Sequence, residues 1–561
     1  MDAPDAPASE RPSARPPGEE PSAAARARAW ISGTVVGAAA SAMRAVKQRP
    51  GEAFIGALAT SLTLYVVAYP FWVCRYPPLV DLPFHAAQTS IFRHYLDPEF
   101  HFREQFSLHP IETPYLSMYL LGAAFALCLS IVSATKLMAI CMLLLLPCGL
   151  SVLFWGMKKS PLWGLAALPF AWSNLAHWGF LNFLGAVGLY AMCIGLALRA
   201  LSAPSRRVSI ALGVAIFAVF FTHVYRLPFT LLSVALTAVV MYPATRRVRP
   251  VLLPFGLGSL ALIGWNWVRP KQDTSAPIDL GFHPERLAEW DRHLLPAARG
   301  AHQAAERARF DSIIQTVLVL GAVALLLFLW QRRFKGRSRQ EWLWGLGVSL
   351  LPLLLTGGYL VTYLTLPMEI GEWWYVYPRE ITTACFIALA VLPDLPRGFW
   401  YRVAFVVALG YPVMRLGLGV AQEFADFDHT TEDFTRITQE LPPAPKLLYL
   451  VFDHSGSPRV SSPYLHLPAW VQAERGGWLS FHFVSFGHSP IRYREGEHRP
   501  PPVPRRWEWT PQRYRHQTHG AWFDTFLVRG GDPSRLFAGD PSVKLVKREG
   551  RWWLFRREPT P

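Results

Sequence analysis

Charge is scarce in this sequence. Of 561 residues only 17% are Asp, Glu, Lys or Arg, against roughly 25% in an ordinary soluble chain. That shortage excludes the string of soluble domains that length alone would suggest. Cysteine is scarce as well. There are six, and five of them (Cys128, Cys141, Cys148, Cys193, Cys385) lie within apolar runs. No CxxC pair and no Cys/His metal spacing occurs, so neither a disulfide framework nor a zinc site is supported. The N-terminus lacks an early apolar run with a small-residue cleavage site, which argues against a signal peptide. No internal repeat or heptad run is evident.

Apolar residues are abundant: 52% belong to the AVILMFWYC set, and the mean hydropathy is +0.20. The run AFIGALATSLTLYVVAYPFWV, from Ala53, contains 21 residues without a charge, enough to cross a hydrocarbon core of about 30 Å. Twelve apolar segments begin near Ala53, Tyr115, Thr135, Pro161, Gly179, Val208, Leu227, Val251, Ile313, Trp342, Thr382 and Tyr401. The chain therefore reads as a polytopic membrane protein.

The net charge of +16 is not a nucleic-acid signature, because the basic residues sit in short clusters between apolar runs. Under the positive-inside rule Arg44, Lys47 and Arg49 place the N-terminus in the cytoplasm. The clusters at Arg199/Arg206/Arg207, Arg246/Arg247/Arg249, Arg332/Arg333/Lys335/Arg337/Arg339 and Arg397/Arg402 fall on the same side. Everything after Val420 is then outside. One segment before Arg199 must fail to cross, since four lie between the first outer loop and that cluster. The Pro161 segment, short and holding Pro169, is the first choice, although it leaves Lys158 and Lys159 outside. Making the Tyr115 segment non-spanning instead would put both lysines inside.

Three regions follow: a disordered cytoplasmic tail over 1–50, a transmembrane domain of about eleven helices over 51–422, and an outer domain over 423–561. The tail holds the strand candidates KLLYLVFD, GWLSFHFVSF and RWWLFRRE, so the expected class is an all-α membrane domain followed by a small α+β domain.

With this topology the polar residues bordering membrane segments gather on the outer face, where intramembrane-edge polar groups are costly and often functional. Loop one, residues 74–114, is richest. Phe84, Ala87, Ile91 and Tyr95 follow helical spacing, predicting an amphipathic helix on the membrane surface. Asp81 stands at its start, either as an N-cap or as a functional carboxylate, and His85 falls four residues later on the same face. Asp97 and Glu99 read as the end of that helix. His223 and Arg226 lie between two apolar runs, the Arg either snorkelling or holding phosphate with its planar fork. Glu372 and Arg379 lie among Trp373, Trp374, Tyr375 and Tyr377, which form either an interfacial aromatic belt or a platform for sugar and headgroup. His177, between Asn174 and Asn182, fits a polar turn lining a cavity. Outer carboxylates could hold a divalent cation, but no spacing specifies a metal, and the cofactor stays open.

The outer-loop motif PPLVDLPFHAA, the many spans, and HLPAWVQAERGGW in the tail resemble the GT-C type of integral membrane glycosyltransferase, more nearly an uncharacterised bacterial group with a D-x-P-x-H first outer loop. The resemblance implies an inner-membrane enzyme moving sugar from a polyprenyl-phosphate donor to an envelope acceptor on the outer face. It makes Asp81 the catalytic base or a metal contact. On that basis His85 assists Asp81, while Arg226, Arg379, His223, Glu372 and His177 bind substrate. The chain lacks an Asp-Glu pair in loop one and a WWDYG-type signature. Two rivals remain: a transporter or flippase of lipid-linked glycans, and a non-catalytic envelope glycan assembly factor.

Overall fold

The computed structural model describes residues 48–269, 280–295, 298–332, 338–371, 373–485, 489–504 and 506–558. The expected N-terminal tail up to residue 47, and Glu372, lie outside them. Among the described residues, eight helices are long and apolar enough to cross a membrane. They are α1 (Pro50–Trp72), α4 (Ile131–Gly156), α5 (Leu181–Ser202), α7 (Leu227–Thr245), α8 (Arg249–Val268), α9 (Ala301–Arg332), α10 (Arg339–Thr365) and α12 (Phe399–Thr430). The other named helices are α2 (Leu82–His94), α3 (Ser117–Phe125), α6 (Arg206–Thr222), α11 (Val376–Ala388) and α13 (Ala469–Arg475).

Three shorter segments join the same two ends of the bundle. The 17-residue α6 leads from Arg206 towards His223, within the usual length range of a span. Helix α11 with its 3-10 extension Leu389–Val391 runs from Trp374 to the far end. There Lys159 Nζ donates to the carbonyls of Ala390 at 3.0 Å and Leu392 at 2.7 Å.

The third is Pro161–Trp172, twelve residues of 3-10 helix. At about 2.0 Å per residue it covers roughly 24 Å, as far as a sixteen-residue α-helix. Its direction follows from its neighbours. Ser151 Oγ, near the end of α4, donates to Pro161 O at 2.9 Å, whereas Trp172 Nε1 reaches Val66 O of α1 at 2.9 Å.

Helices α4 and α5 consequently pack in parallel. Gly149 faces Gly188, and Gly156 faces Gly195, backbone on backbone. The Pro161 segment, the first choice for the one that fails to cross, thus runs alongside the bundle from the end of α4 to α1. The Tyr115 segment forms α3, which has only nine residues. Lys158 and Lys159 stand at the end opposite Asp81, where Arg199 lies over Trp155 and Lys158 over Trp344. Small residues allow such close helix approach in membranes, and a β-carbon at Gly188 would overlap the Leu145 carbonyl. Gly188→Val is therefore expected to destabilise the chain by about 1–3 kcal/mol or more. The measure is the thermal midpoint of detergent-solubilised protein by size-exclusion profile, and an unchanged midpoint would refute this packing.

The C-terminal region contains a five-stranded mixed sheet in the order β5-β4-β7-β9-β8. Its strands are β4 (Lys446–Val451), β5 (Trp478–Leu479), β7 (Thr525–Arg529), β8 (Val543–Glu549) and β9 (Trp552–Arg557). Two of the expected strands, β4 and β9, are central to it. GWLSFHFVSF yields only the two-residue β5 and a 3-10 turn, and β7 and β8 went unanticipated.

The proposed boundary at residue 423 falls inside α12, which continues to Thr430. Nor does the tail stand apart from loop one. Strand β1 (Phe106–Leu108) pairs antiparallel with β6 (Ile491–Tyr493), Gln105 Nε2 donates to Gly477 O at 2.9 Å, and Arg75 pairs with Glu474 at 2.8 Å. Arg459, from the tail, is buried between Glu306 of α9 and Glu423 of α12.

This interlocking corrects the expected surface helix. Helix α2 is buried over all of Leu82–Ile91, packed against α3 and α4 on one side and α13 on the other. A second face that would have met water meets the tail instead.

Candidate active site

Asp81 is held by its backbone. Val80 N–H donates to His177 O at 3.0 Å and Asp81 N–H to Trp178 O at 3.1 Å, which clamps the start of α2 to the turn before α5. That turn depends on Gly179, whose φ of +91° and close approach leave no room for a side chain: a β-carbon there would lie 2.9 Å from Asp81 N and Asp81 Cβ. Asp81 occupies the N-cap position of α2, yet its side chain makes no capping hydrogen bond. The carboxylate lines a cavity of about 1200 Å³, and its Oδ1 lies 3.2 Å from Nδ1 of His466.

The cavity is walled by both halves of the chain. The helical part supplies His85, Tyr115, Tyr119, Trp178, Asn182, His223 and Arg379, and the tail supplies His466, Arg492, Arg506, Glu508 and Trp509. Trp178 stands 5.1 Å from Trp374 and 6.2 Å from Trp509, ring to ring. Flat rings of this kind suit the apolar face of a sugar. Arg379 lies with its guanidinium 4.3 Å from the centre of the Phe180 ring. Its Nη2 donates to Trp374 O at 3.0 Å, and its Nε is without a hydrogen-bond partner among the described residues.

The residues singled out from sequence separate into three groups. Asp81, His85, His223 and Arg379 all line the cavity. His85, however, does not bond the Asp81 side chain. Its Nδ1 faces Tyr119 Oη and its Nε2 the Gly179 carbonyl, both at 3.2 Å. Burial lowers its pKa, against the raising influence of Asp81. Burial, with Arg379 and Arg226 nearby, lowers that of His223 well below the ordinary range. His223 Nδ1 has no hydrogen-bond partner among the described residues.

Arg226 and His177 depart from expectation. Arg226 makes a two-pronged pair with Glu380, 2.9 Å on each prong, under the rings of Phe183 and Phe229, and is not part of the cavity wall. Its fork is already filled by a carboxylate, so it has none to offer a phosphate. His177 is buried behind the turn, and its contribution to the site is its carbonyl, which fixes Val80. Glu372 lies outside the described residues; β2 (Glu369–Ile370) pairs antiparallel with β3 (Trp373–Trp374).

Two residues escaped the sequence reading. His466 opens the HLPAWV motif, so it was in view but had no assigned partner. Glu508, in RRWEWT, carried no signal beyond its charge. Burial raises the Glu508 carboxyl pKa, with His466 opposing and Asp81 adding to that rise. The site thus holds two carboxylates in different surroundings with an imidazole near both. Among the described residues no group of three or more His, Cys, Asp or Glu is arranged to hold a metal ion.

No family model and no curated protein matches this sequence. Among solved structures, the chain is similar to the crystal structure of ArnT from Cupriavidus metallidurans bound to undecaprenyl phosphate. The TM-score is 0.48 at 13% sequence identity, over 90% of this chain and 98% of that one.

Proposed function

We propose that this chain is a multi-pass inner-membrane glycosyltransferase of the GT-C type. It takes sugar from a polyprenyl-phosphate donor and delivers it to an envelope acceptor. The observation that carries this reading is the Asp81 carboxylate. It lines a large aromatic-walled cavity, is clamped by two backbone hydrogen bonds, and has no capping role. A carboxylate that the helix does not need is available to support general-base catalysis of hydroxyl attack, directly or through a neighbouring group. Of the cavity arginines, Arg492, Arg499 and Arg506 are paired with carboxylates, and Arg379 is the one fitted to the donor phosphate. Trp178, Trp374 and Trp509 are fitted to the sugar, and His223 to a neighbouring hydroxyl.

The rivals fare less well against the same geometry. A transporter would need functional charge distributed along its spans. Here the buried charges are paired locally, Arg226 with Glu380 and Arg459 with both Glu306 and Glu423. An assembly factor acting through its tail alone would not need that tail to share a cavity with loop one.

The test compares a deletion strain with its parent. Loss of one surface glycan, with accumulation of its lipid-linked sugar precursor, is the expected result. Unchanged pools of both would sink the proposal. A second expectation concerns Arg379: Lys keeps the charge but not the fork geometry. Arg379→Lys should weaken binding of a polyprenyl-phosphate sugar to purified protein by about tenfold, equivalent to about 1.4 kcal/mol, and equal affinity would remove Arg379 from the donor site.

The basic clusters at the end opposite Asp81 support a cytoplasmic N-terminus and a periplasmic site and tail. Cysteine at the exposed Arg535, in a background lacking the native six, should react with an impermeant thiol reagent in intact spheroplasts. Labelling only after lysis would reverse the orientation.

A further inference from the structure

We infer that the atom receiving the acceptor proton is Nε2 of His466, with Asp81 as the carboxylate that orients and charges-balances the imidazole. This rests on the glycosyltransferase reading and refines its chemistry. Three observations carry it. His466 Nδ1 lies 3.2 Å from Asp81 Oδ1, so the Nδ1 proton donates to the carboxylate and the lone pair is left on Nε2. That Nε2 is buried and has no hydrogen-bond partner among the described residues, although its side chain lines the cavity. The ring is fixed by packing, 4.6 Å from Phe84 and 5.3 Å from Phe483, centre to centre.

A carboxylate bonded to one imidazole nitrogen sets the tautomer and leaves the other nitrogen basic. This is the division of labour in hydrolase triads, which is recognised by geometry rather than by fold. Glu508, electrostatically coupled to the same imidazole, adds a second acidic group beside the developing imidazolium.

The step balances as follows. The acceptor hydroxyl oxygen bonds to the anomeric carbon as that carbon's bond to the phosphate oxygen breaks. The electron pair departs with polyprenyl phosphate, and the hydroxyl proton passes to His466 Nε2 and later to solvent. Contacts of this kind tighten when substrate is bound.

The test uses membranes of the deletion strain carrying full-length variants, with endogenous donor and acceptor. His466→Ala should lose about a hundredfold or more in rate, and added imidazole should restore at least about a tenth of parental activity by entering the vacated space. His466→Gln fills that space and should lose activity without rescue. Activity of either variant within about threefold of parent, or an Ala variant that imidazole does not restore, would overturn the assignment.

If the parental chain itself makes no product, the glycosyltransferase reading fails, and a second measurement judges the pair alone. Hydrogen exchange at the imidazole carbon of His466, followed by mass spectrometry across pH, should show a lower midpoint in Asp81→Asn than in parent. Glu508, His85 and His454, the other titratable groups coupled to His466, are unaltered in that comparison. An unshifted midpoint would overturn the coupling.

Discussion

Asp81→Asn is expected to lower sugar transfer by about a hundredfold or more while the protein accumulates in the membrane at parental level. The two halves of this expectation have separate physical origins. Accumulation is preserved because Asp81 makes no side-chain cap to α2 and is positioned by its own backbone N–H and that of Val80, which substitution leaves in place. An Asn oxygen can still accept from His466 Nδ1, so the packing between α2 and the tail persists. Activity is lost because the negative charge is gone, whether the carboxylate takes the proton itself or supports the imidazole that does. Immunoblotting of membranes and the surface glycan of the complemented strain give the two readouts. Full glycan restoration by Asn would remove the carboxylate from the chemistry.

Arg226→Ala should do the reverse, harming the fold before it harms the site. Arg226 and Glu380 are both buried, at 3% and 7% side-chain exposure, and each satisfies the other. Removing one member leaves an uncompensated buried charge, which costs about 3–5 kcal/mol. Replacing both with apolar residues of similar volume is often neutral. The double variant Arg226→Met/Glu380→Leu should therefore recover most of the stability lost by Arg226→Ala, as read from the thermal midpoint in detergent. A single variant as stable as parent would mean that the pair is not formed. A single variant with normal stability and weakened donor binding would return Arg226 to the phosphate.

The membrane layout was legible in the sequence because long apolar runs and basic clusters are direct consequences of bilayer physics. Among the described residues eight of those runs form helices long and apolar enough to cross a membrane. What could not be read was the form of the short segments. Residues 161–172 form a 3-10 helix, whose greater rise per residue gives more reach than a length criterion calibrated on α-helices allows. Features that depend on remote partners were equally hidden. The amphipathic spacing of α2 predicted a wet face, but α13 covers it. Arg226 looked available because Glu380 lies far along the chain, behind an aromatic run of its own. Asp81 could be cap or site from sequence alone, and the structure removes the capping bond and brings His466 to its carboxylate. The tail motif beginning at His466 was visible, yet nothing local tied its first residue to loop one.

The pairing of β1 with β6 has a consequence for the order of events at the ribosome. Loop one leaves the translocation machinery early, soon after the first membrane segment. Its strand partner and the imidazole facing Asp81 are made only after the last membrane helix has been inserted. Throughout most of synthesis α2 must therefore wait with an uncovered apolar face, and the cavity has no tail-side wall. The cavity wall is thus divided between the first and last parts of the chain to be made.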